Sequence, residues 1–121
     1  MTTVDLERLA ARGLTSSHYD AGQKIFLQED TGGRMFVVRS GRVQIVTYGT
    51  VLENVGPGGF FGEMSLIDGA PRSAAAIALD ASDVIALDRQ AFLNLVREEP
   101  EFALHVMGVL ANRIRKMYAS M

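Results

Sequence analysis

Apolar residues at Val4, Leu6, Leu9 and Ala10 have the spacing of a short amphipathic helix, with Thr3 as its cap and Gly13 as its stop. From about residue 18 to 88 the rhythm changes. Short apolar stretches alternate with turn signals at Ala21-Gly22, Thr31-Gly32-Gly33, Ser40-Gly41, Tyr48-Gly49 and Gly56-Pro57-Gly58-Gly59. The pattern predicts strands over 24–28, 35–40, 42–47, 50–55, 73–79 and 83–87. Many short strands at regular spacing suggest an antiparallel β-barrel or jelly roll. Beyond residue 89 the helical period returns. Phe92, Leu95 and Val96 line a helix that stops before Pro100, and a longer helix runs from Glu101 to the end. The expected fold is α+β, mainly β: a short N-terminal helix, the barrel (about 18–88) and C-terminal helices (about 89–119), all one domain spanning 1–121.

The last helix carries two apolar rows. Phe102, Val106 and Val109 suit packing on the barrel. Leu104, Met107, Ala111, Ile114, Tyr118 and Met121 follow a 3-4-3-4-3 spacing, the repeat of a coiled-coil seam. Either the second row pairs with a second copy of the chain, or both rows form one broad face on the domain's own core. Acidic Glu98, Glu99 and Glu101 stand near the helix start, and Arg113, Arg115 and Lys116 stand in its last third, as the helix dipole favours.

One segment breaks the strand rhythm. The glycine-rich run 56–62 leads into Glu63-Met64-Ser65-Leu66-Ile67, long enough for one or two helical turns, and Asp68-Gly69-Ala70-Pro71 returns the chain to a strand opening at Arg72. A short helix start preceded by glycine exposes backbone N–H groups to an anion. Arg72 adds a planar fork for phosphate, and Ser73 adds a hydroxyl. Glu63 only accepts hydrogen bonds, so it repels phosphate and suits hydroxyls. Phosphate and sugar hydroxyl together point to a nucleotide. The bland alternatives are an exposed edge arginine, a Glu63–Arg72 salt bridge, and glycines that serve only as barrel corners.

Composition narrows the classes. The 121 residues are 48% hydrophobic, enough for one packed core. Twelve Lys and Arg against 14 Asp and Glu give a net charge of −2, without the basic surplus expected for nucleic-acid binding by this chain alone. With no cysteine there is no disulfide, cluster or thiol chemistry. Only His18 and His105 offer imidazole, His18 ahead of the first barrel strand and His105 in the last helix, so no metal site is expected. The longest apolar run, 74–79, is too short to span a membrane, and the N-terminus lacks a signal-peptide pattern. A cytoplasmic protein is expected. No Gly-Lys-Ser/Thr phosphate loop occurs, and Ser65, Asp68 and His105 make no convincing catalytic set, so no enzyme activity is expected.

Phe61-Gly62-Glu63-Met64-Ser65-Leu66 followed by Pro71-Arg72-Ser73-Ala74 resembles the phosphate-binding cassette of the cyclic nucleotide-binding domain. That family includes catabolite activator proteins, protein kinase A regulatory subunits and cyclic-nucleotide-gated channels. The likeness extends to Gly22-Gln23-Lys24-Ile25-Phe26, Met35-Phe36-Val37-Val38 and Ser40-Gly41-Arg42-Val43, covering roughly residues 14–118. Gly59, where the family often has a polar residue, is a minor departure.

The resemblance implies roles. Glu63 accepts from the ribose 2′-hydroxyl, and Arg72 pairs with the cyclic phosphate. Ser73 and the backbone amides of Gly62, Met64 and Ala74 complete the anion cradle. Ile45 and Leu52 line the ribose and base pocket, and Met117 and Tyr118 close over the base as a lid. The implied ligand is cyclic AMP or cyclic GMP, with Ser73 leaning towards cyclic AMP. No further cofactor is implied. The implied partners are a homodimer mate through the C-terminal helix and an effector protein the sequence does not name. The expected function is a regulatory sensor module without its own effector domain. The alternatives are a regulatory piece of a larger transcription factor, channel or enzyme, or an interaction domain with a vestigial site.

Overall fold

The computed structural model describes residues 5–120. Helix α1 (Leu6–Ala11) is capped by the Asp5 carboxylate, which accepts from the amides of Glu7 and Arg8. Asp5 thus takes the role expected of Thr3, which lies outside the described residues, as do Val4 and Met121. Two antiparallel four-stranded sheets follow. The first has the order β1-β8-β3-β6, from β1 (Ser16–Tyr19), β8 (Ser82–Leu87), β3 (Met35–Ser40) and β6 (Phe60–Phe61). The second has the order β2-β7-β4-β5, from β2 (Lys24–Phe26), β7 (Ala75–Ala78), β4 (Val43–Thr47) and β5 (Thr50–Val55). The result is a jelly-roll sandwich of two sheets rather than a closed barrel. Helix α2 (Glu63–Asp68) interrupts the strands between β6 and β7, and α3 (Arg89–Glu98) and α4 (Glu101–Ala119) complete the chain.

Alternation along the central strand β3 builds both sides of the core. Phe36 and Val38, with Phe61 and Val84 of the same sheet, face the second sheet and pack with its Val43, Val55 and Ala76. Met35 and Val37 face the other way, into a cluster with Phe60, Ile85 and Leu87 that Leu9, Leu66, Leu95 and Val106 of the four helices cover. The first sheet is therefore a middle layer, with the second sheet on one face and the helices on the other. Each Phe of β6 serves a different layer, so two residues fix the approach to α2 from both sides.

Two strands depart from the sequence expectation. β1 was not expected, because Ser16-Ser17-His18-Tyr19 has no apolar alternation; it is an edge strand held by pairing to β8. His18 accordingly lies within the first strand rather than ahead of it. β6 is hidden inside the glycine-rich run. The two rows of α4 differ in burial: Val106 is buried and Phe102 and Val109 pack on the core, while Leu104, Met107, Ile114 and Tyr118 are exposed and Ala111 between them is half-buried. Arg8 of α1 and Arg12, its C-cap, form ion pairs with Glu98 and Glu99, tying the N-terminal helix to the α3–α4 junction.

Candidate ligand site

A cavity of about 880 Å³ opens between α2, the second sheet and α4, within the size range of small-ligand sites. Its floor comes from the sandwich core. Phe26, Phe36 and Phe61 pack with ring centres 5.3–5.9 Å apart, and Phe26 and Phe61 line the cavity.

Arg72 reaches this floor from an irregular segment, three residues before β7, and not from the opening of a strand as the sequence suggested. Its own backbone is pinned by two bonds: its amide donates to the Asp30 carbonyl, and its carbonyl accepts from the Glu29 amide, each 2.8 Å. The side chain is only 5% exposed. Nη1 donates to the Gly62 carbonyl at 2.8 Å, Nη2 donates to the Arg34 carbonyl at 2.7 Å, and the guanidinium lies 4.1 Å over the Phe26 ring. Nε is buried without a hydrogen-bond partner among the described residues. Burial, then the like charge of Arg34, push the Arg72 pKa down, against the pull of Glu63 and Asp30. An arginine stays protonated regardless. The site therefore holds a desolvated cation whose direct hydrogen-bond partners are neutral carbonyls. Such a group is a strong anion receptor.

The Glu63–Arg72 salt bridge offered as a bland alternative does not form. Glu63, 5% exposed at the first position of α2, meets Arg113 of α4 instead, its Oε1 accepting from Nη1 at 2.6 Å. Arg113 also donates through Nε and Nη2 to the two carboxylate oxygens of Glu53 on β5, at 3.0 and 3.1 Å, and through Nη2 to the Phe60 carbonyl at 2.9 Å. Burial works against the Arg113 charge, but the Glu53 hydrogen bonds and the charges of Glu63 and Glu53 outweigh it and hold its pKa above the ordinary value.

Gly62 connects the two arginines' territories. It precedes α2 with φ of 78°, a left-handed conformation, and no side chain caps the helix start. The first amides of α2 thus have no side-chain acceptor at the N-cap.

Gly62, Glu63, Met64, Arg72, Ser73, Ala74, Ile45, Leu52 and Met117 all line the one cavity. Leu52 does so from a β-bulge: Ile45 faces Glu53 and Val46 faces Val51, leaving Leu52 as the extra residue. Tyr118 is not among the lining residues and is 70% exposed. The reason is helical phase. Leu110, Arg113, Ile114 and Met117 share one face at i+3 and i+4 spacing, and Tyr118 lies about 100° further round. Sequence reasoning missed Glu53 and Arg113. The available signal was phase again, since Arg113 stands seven residues after buried Val106 and four after Val109.

Ser65 and Asp68 line the cavity, but His105 does not; it sits edge-on to Phe60 with ring centres 6.0 Å apart. Among the described residues no group of three or more His, Asp or Glu side chains is arranged to hold a metal, and no helix is long and apolar enough to cross a membrane.

The chain is similar to known proteins in sequence and in fold. Residues 16–99 match the profile of the cyclic nucleotide-binding domain. The cyclic AMP receptor protein of Thermus thermophilus is 38% identical over 103 residues, covering 81% of this chain and 48% of the relative. A cyclic nucleotide-gated potassium channel of Mesorhizobium japonicum is 39% identical over 92 residues, covering 76% of this chain and 25% of the channel. The crystal structure of the Thermus thermophilus catabolite activator protein superposes with a TM-score of 0.83 at 35% identity, covering 94% of this chain and 56% of that one. The chain thus spans half or less of the curated relatives it matches. The match over more than half the chain takes in β6, α2 and Arg72, the elements that frame the cavity: the chain belongs to the cyclic nucleotide-binding domain family.

Proposed function

We propose that this chain is a regulatory module that binds a purine cyclic nucleotide without turning it over, cyclic AMP in preference to cyclic GMP. The observation that carries the reading is Arg72: a buried guanidinium, bonded only to neutral carbonyls, lining a cavity beside an uncapped helix start. A singly charged cyclic phosphate would supply the missing anion. Glu63, across the same cavity, would accept from the ribose 2′-hydroxyl. Ser73, Ala74 and the amides of Gly62 and Met64 would surround the phosphate. Ile45, Leu52 and Met117 would supply apolar contact to ribose and base. The preference for cyclic AMP is supported by Ser73 and by similarity to a cyclic AMP receptor protein. Binding without turnover is supported by similarity to a cyclic AMP receptor protein and to regulatory subunits of cAMP-dependent protein kinase. The module would work in the cytoplasm.

The exposed residues Leu104, Met107 and Tyr118 of the second row would pair with the same residues of a second copy. Calorimetric titration of the purified chain with cyclic AMP and cyclic GMP tests the ligand. Heat from both, with the tighter constant for cyclic AMP, is expected, and the absence of binding to either would remove the proposal. Sedimentation of wild type against Met107→Glu tests the pairing.

A further inference from the structure

Arg113 is one guanidinium shared between two carboxylates, and the way it is divided matters. Its Nε/Nη2 edge, the geometry suited to a bidentate pair, is taken by Glu53 at 3.0 and 3.1 Å. Nη2 has a second acceptor in the Phe60 carbonyl. Only Nη1 turns to Glu63, and its hydrogen bond uses Oε1 alone. Without Glu53 the stronger attractor would be Glu63, because its side chain is 6% exposed whereas that of Glu53 is 41% exposed, and charges attract more strongly where water is excluded. The guanidinium would then swing its fork onto both oxygens of Glu63.

We propose that Glu53 is a positioning residue for the ligand. By holding the Arg113 fork on β5, it limits Arg113 to one oxygen of Glu63 and reserves Oε2 for a hydroxyl donated by the ligand. This rests on the cyclic-nucleotide reading, in which the hydroxyl is the ribose 2′-OH. Glu53 thereby sets how strongly the site distinguishes a ribose from a deoxyribose, although it is placed to act through Arg113 and Glu63.

The test is a titration of the full chain, as wild type, Glu53→Gln and Glu53→Ala, with cyclic AMP, cyclic GMP and their 2′-deoxy analogues; thermal melting checks that each variant is folded. Both variants should lose roughly tenfold in affinity for the ribonucleotide, the scale of one hydrogen bond to a charged group. Affinity for the deoxy analogue should stay at the wild-type value. Adding Glu53→Ala to Arg113→Ala should cost nothing beyond Arg113→Ala alone, because the two act as one device. Equal losses on ribo- and deoxyribonucleotides, or an unchanged ribose preference in folded variants, would overturn the role of Glu53 and leave the nucleotide reading standing. A wild-type chain that binds none of the four nucleotides would overturn both.

Discussion

Arg72 and Gly62 depend on each other. Arg72 Nη1 donates to the Gly62 carbonyl at 2.8 Å, and a Cβ built on Gly62 would lie 2.8 Å from that same nitrogen. The guanidinium is placed against a backbone that only glycine leaves room for. Lysine could satisfy one of the two carbonyls, Gly62 or Arg34, but could not hold both and still offer a donor to an anion. Arg72→Lys and Arg72→Ala should each weaken cyclic nucleotide binding by roughly ten- to a hundredfold or more. Glu63→Ala should be milder, since a neutral hydroxyl can turn to water. Calorimetry on folded variants reads all three, and wild-type affinity in Arg72→Lys would show that the phosphate contact is wrongly assigned.

Gly62→Ala is the converse experiment. The left-handed φ of 78° costs a residue with a Cβ about 1–2 kcal/mol, and the added methyl also meets the Arg34 carbonyl at 3.3 Å. Chemical denaturation should show a loss of about that size. Binding should fall further than stability, because Arg72 must shift to relieve the contact. A variant that is destabilised but binds normally would mean that the Arg72 position does not matter to the ligand.

Much of this architecture was legible in the chain. Strands β3 and β5 fell at their expected bounds because turns flank them and their apolar content is high. The cassette residues could be read because Gly62, Glu63, Arg72 and Ser73 lie within twelve residues of one another. What escaped was what depends on distant partners. β1 is polar and exists through its ladder to β8, about 65 residues on. Arg113 looked like a cation placed to suit a helix dipole, yet its carboxylates stand 50 and 60 residues upstream. Local pattern reveals an amphipathic face; it does not reveal which charge that face brings to a cavity. Tyr118 stands one residue of helical phase away from the face of α4 that lines the cavity, a shift the apolar spacing alone did not reveal.

His18 gives a pH dependence whose sign is fixed by geometry. Its Nδ1 lies 2.9 Å from Asp83 Oδ1 across the β1–β8 pair, and its Nε2 lies 3.2 Å from Asp20. The Asp83 hydrogen bond, then the Asp20 one, raise the His18 pKa above 6.5, and the His18 hydrogen bond, with help from Ser40 and Arg39, lowers that of Asp83 below 3.8. A raised histidine stabilises fully below its unfolded pKa of 6.5 and loses that contribution as pH rises through the folded value. A lowered aspartate stabilises above 3.8 and loses its contribution as pH falls through the folded value. The pair therefore supports β1 most between about pH 4 and 6.5. Both side chains are exposed, so the effect is small. The melting-temperature gap between wild type and His18→Gln should be wider at pH 5.5 than at pH 8.5, and a gap that widens with rising pH would contradict the assignment.

The last turns of α4 should be the part of the molecule that a ligand orders. Up to Val109 the helix is held by Phe102 and Val106 on the core, and beyond Ala111 Arg113 is the one side chain that is not exposed among residues 112–120. Its bonds to Glu53, Glu63 and the Phe60 carbonyl fasten the helix at one point, with Ile114 and Met117 turned to the cavity and no core beneath them. A helical end with so little packing is marginal in water. A purine in the cavity would offer Met117 and Ile114 an apolar face, and a ligand shifts such an equilibrium by its differential affinity for the docked state. Hydrogen exchange on the free and nucleotide-saturated chain should show gained protection from about Asn112 to Ser120, with little change in β3 or β8. Truncation before Met117 keeps Arg113, so it should weaken binding only modestly and leave the sandwich folded. If the exchange rates of 112–120 are the same with and without nucleotide, α4 is a fixed wall of the cavity, and the ordering belongs to the Arg113 contacts alone.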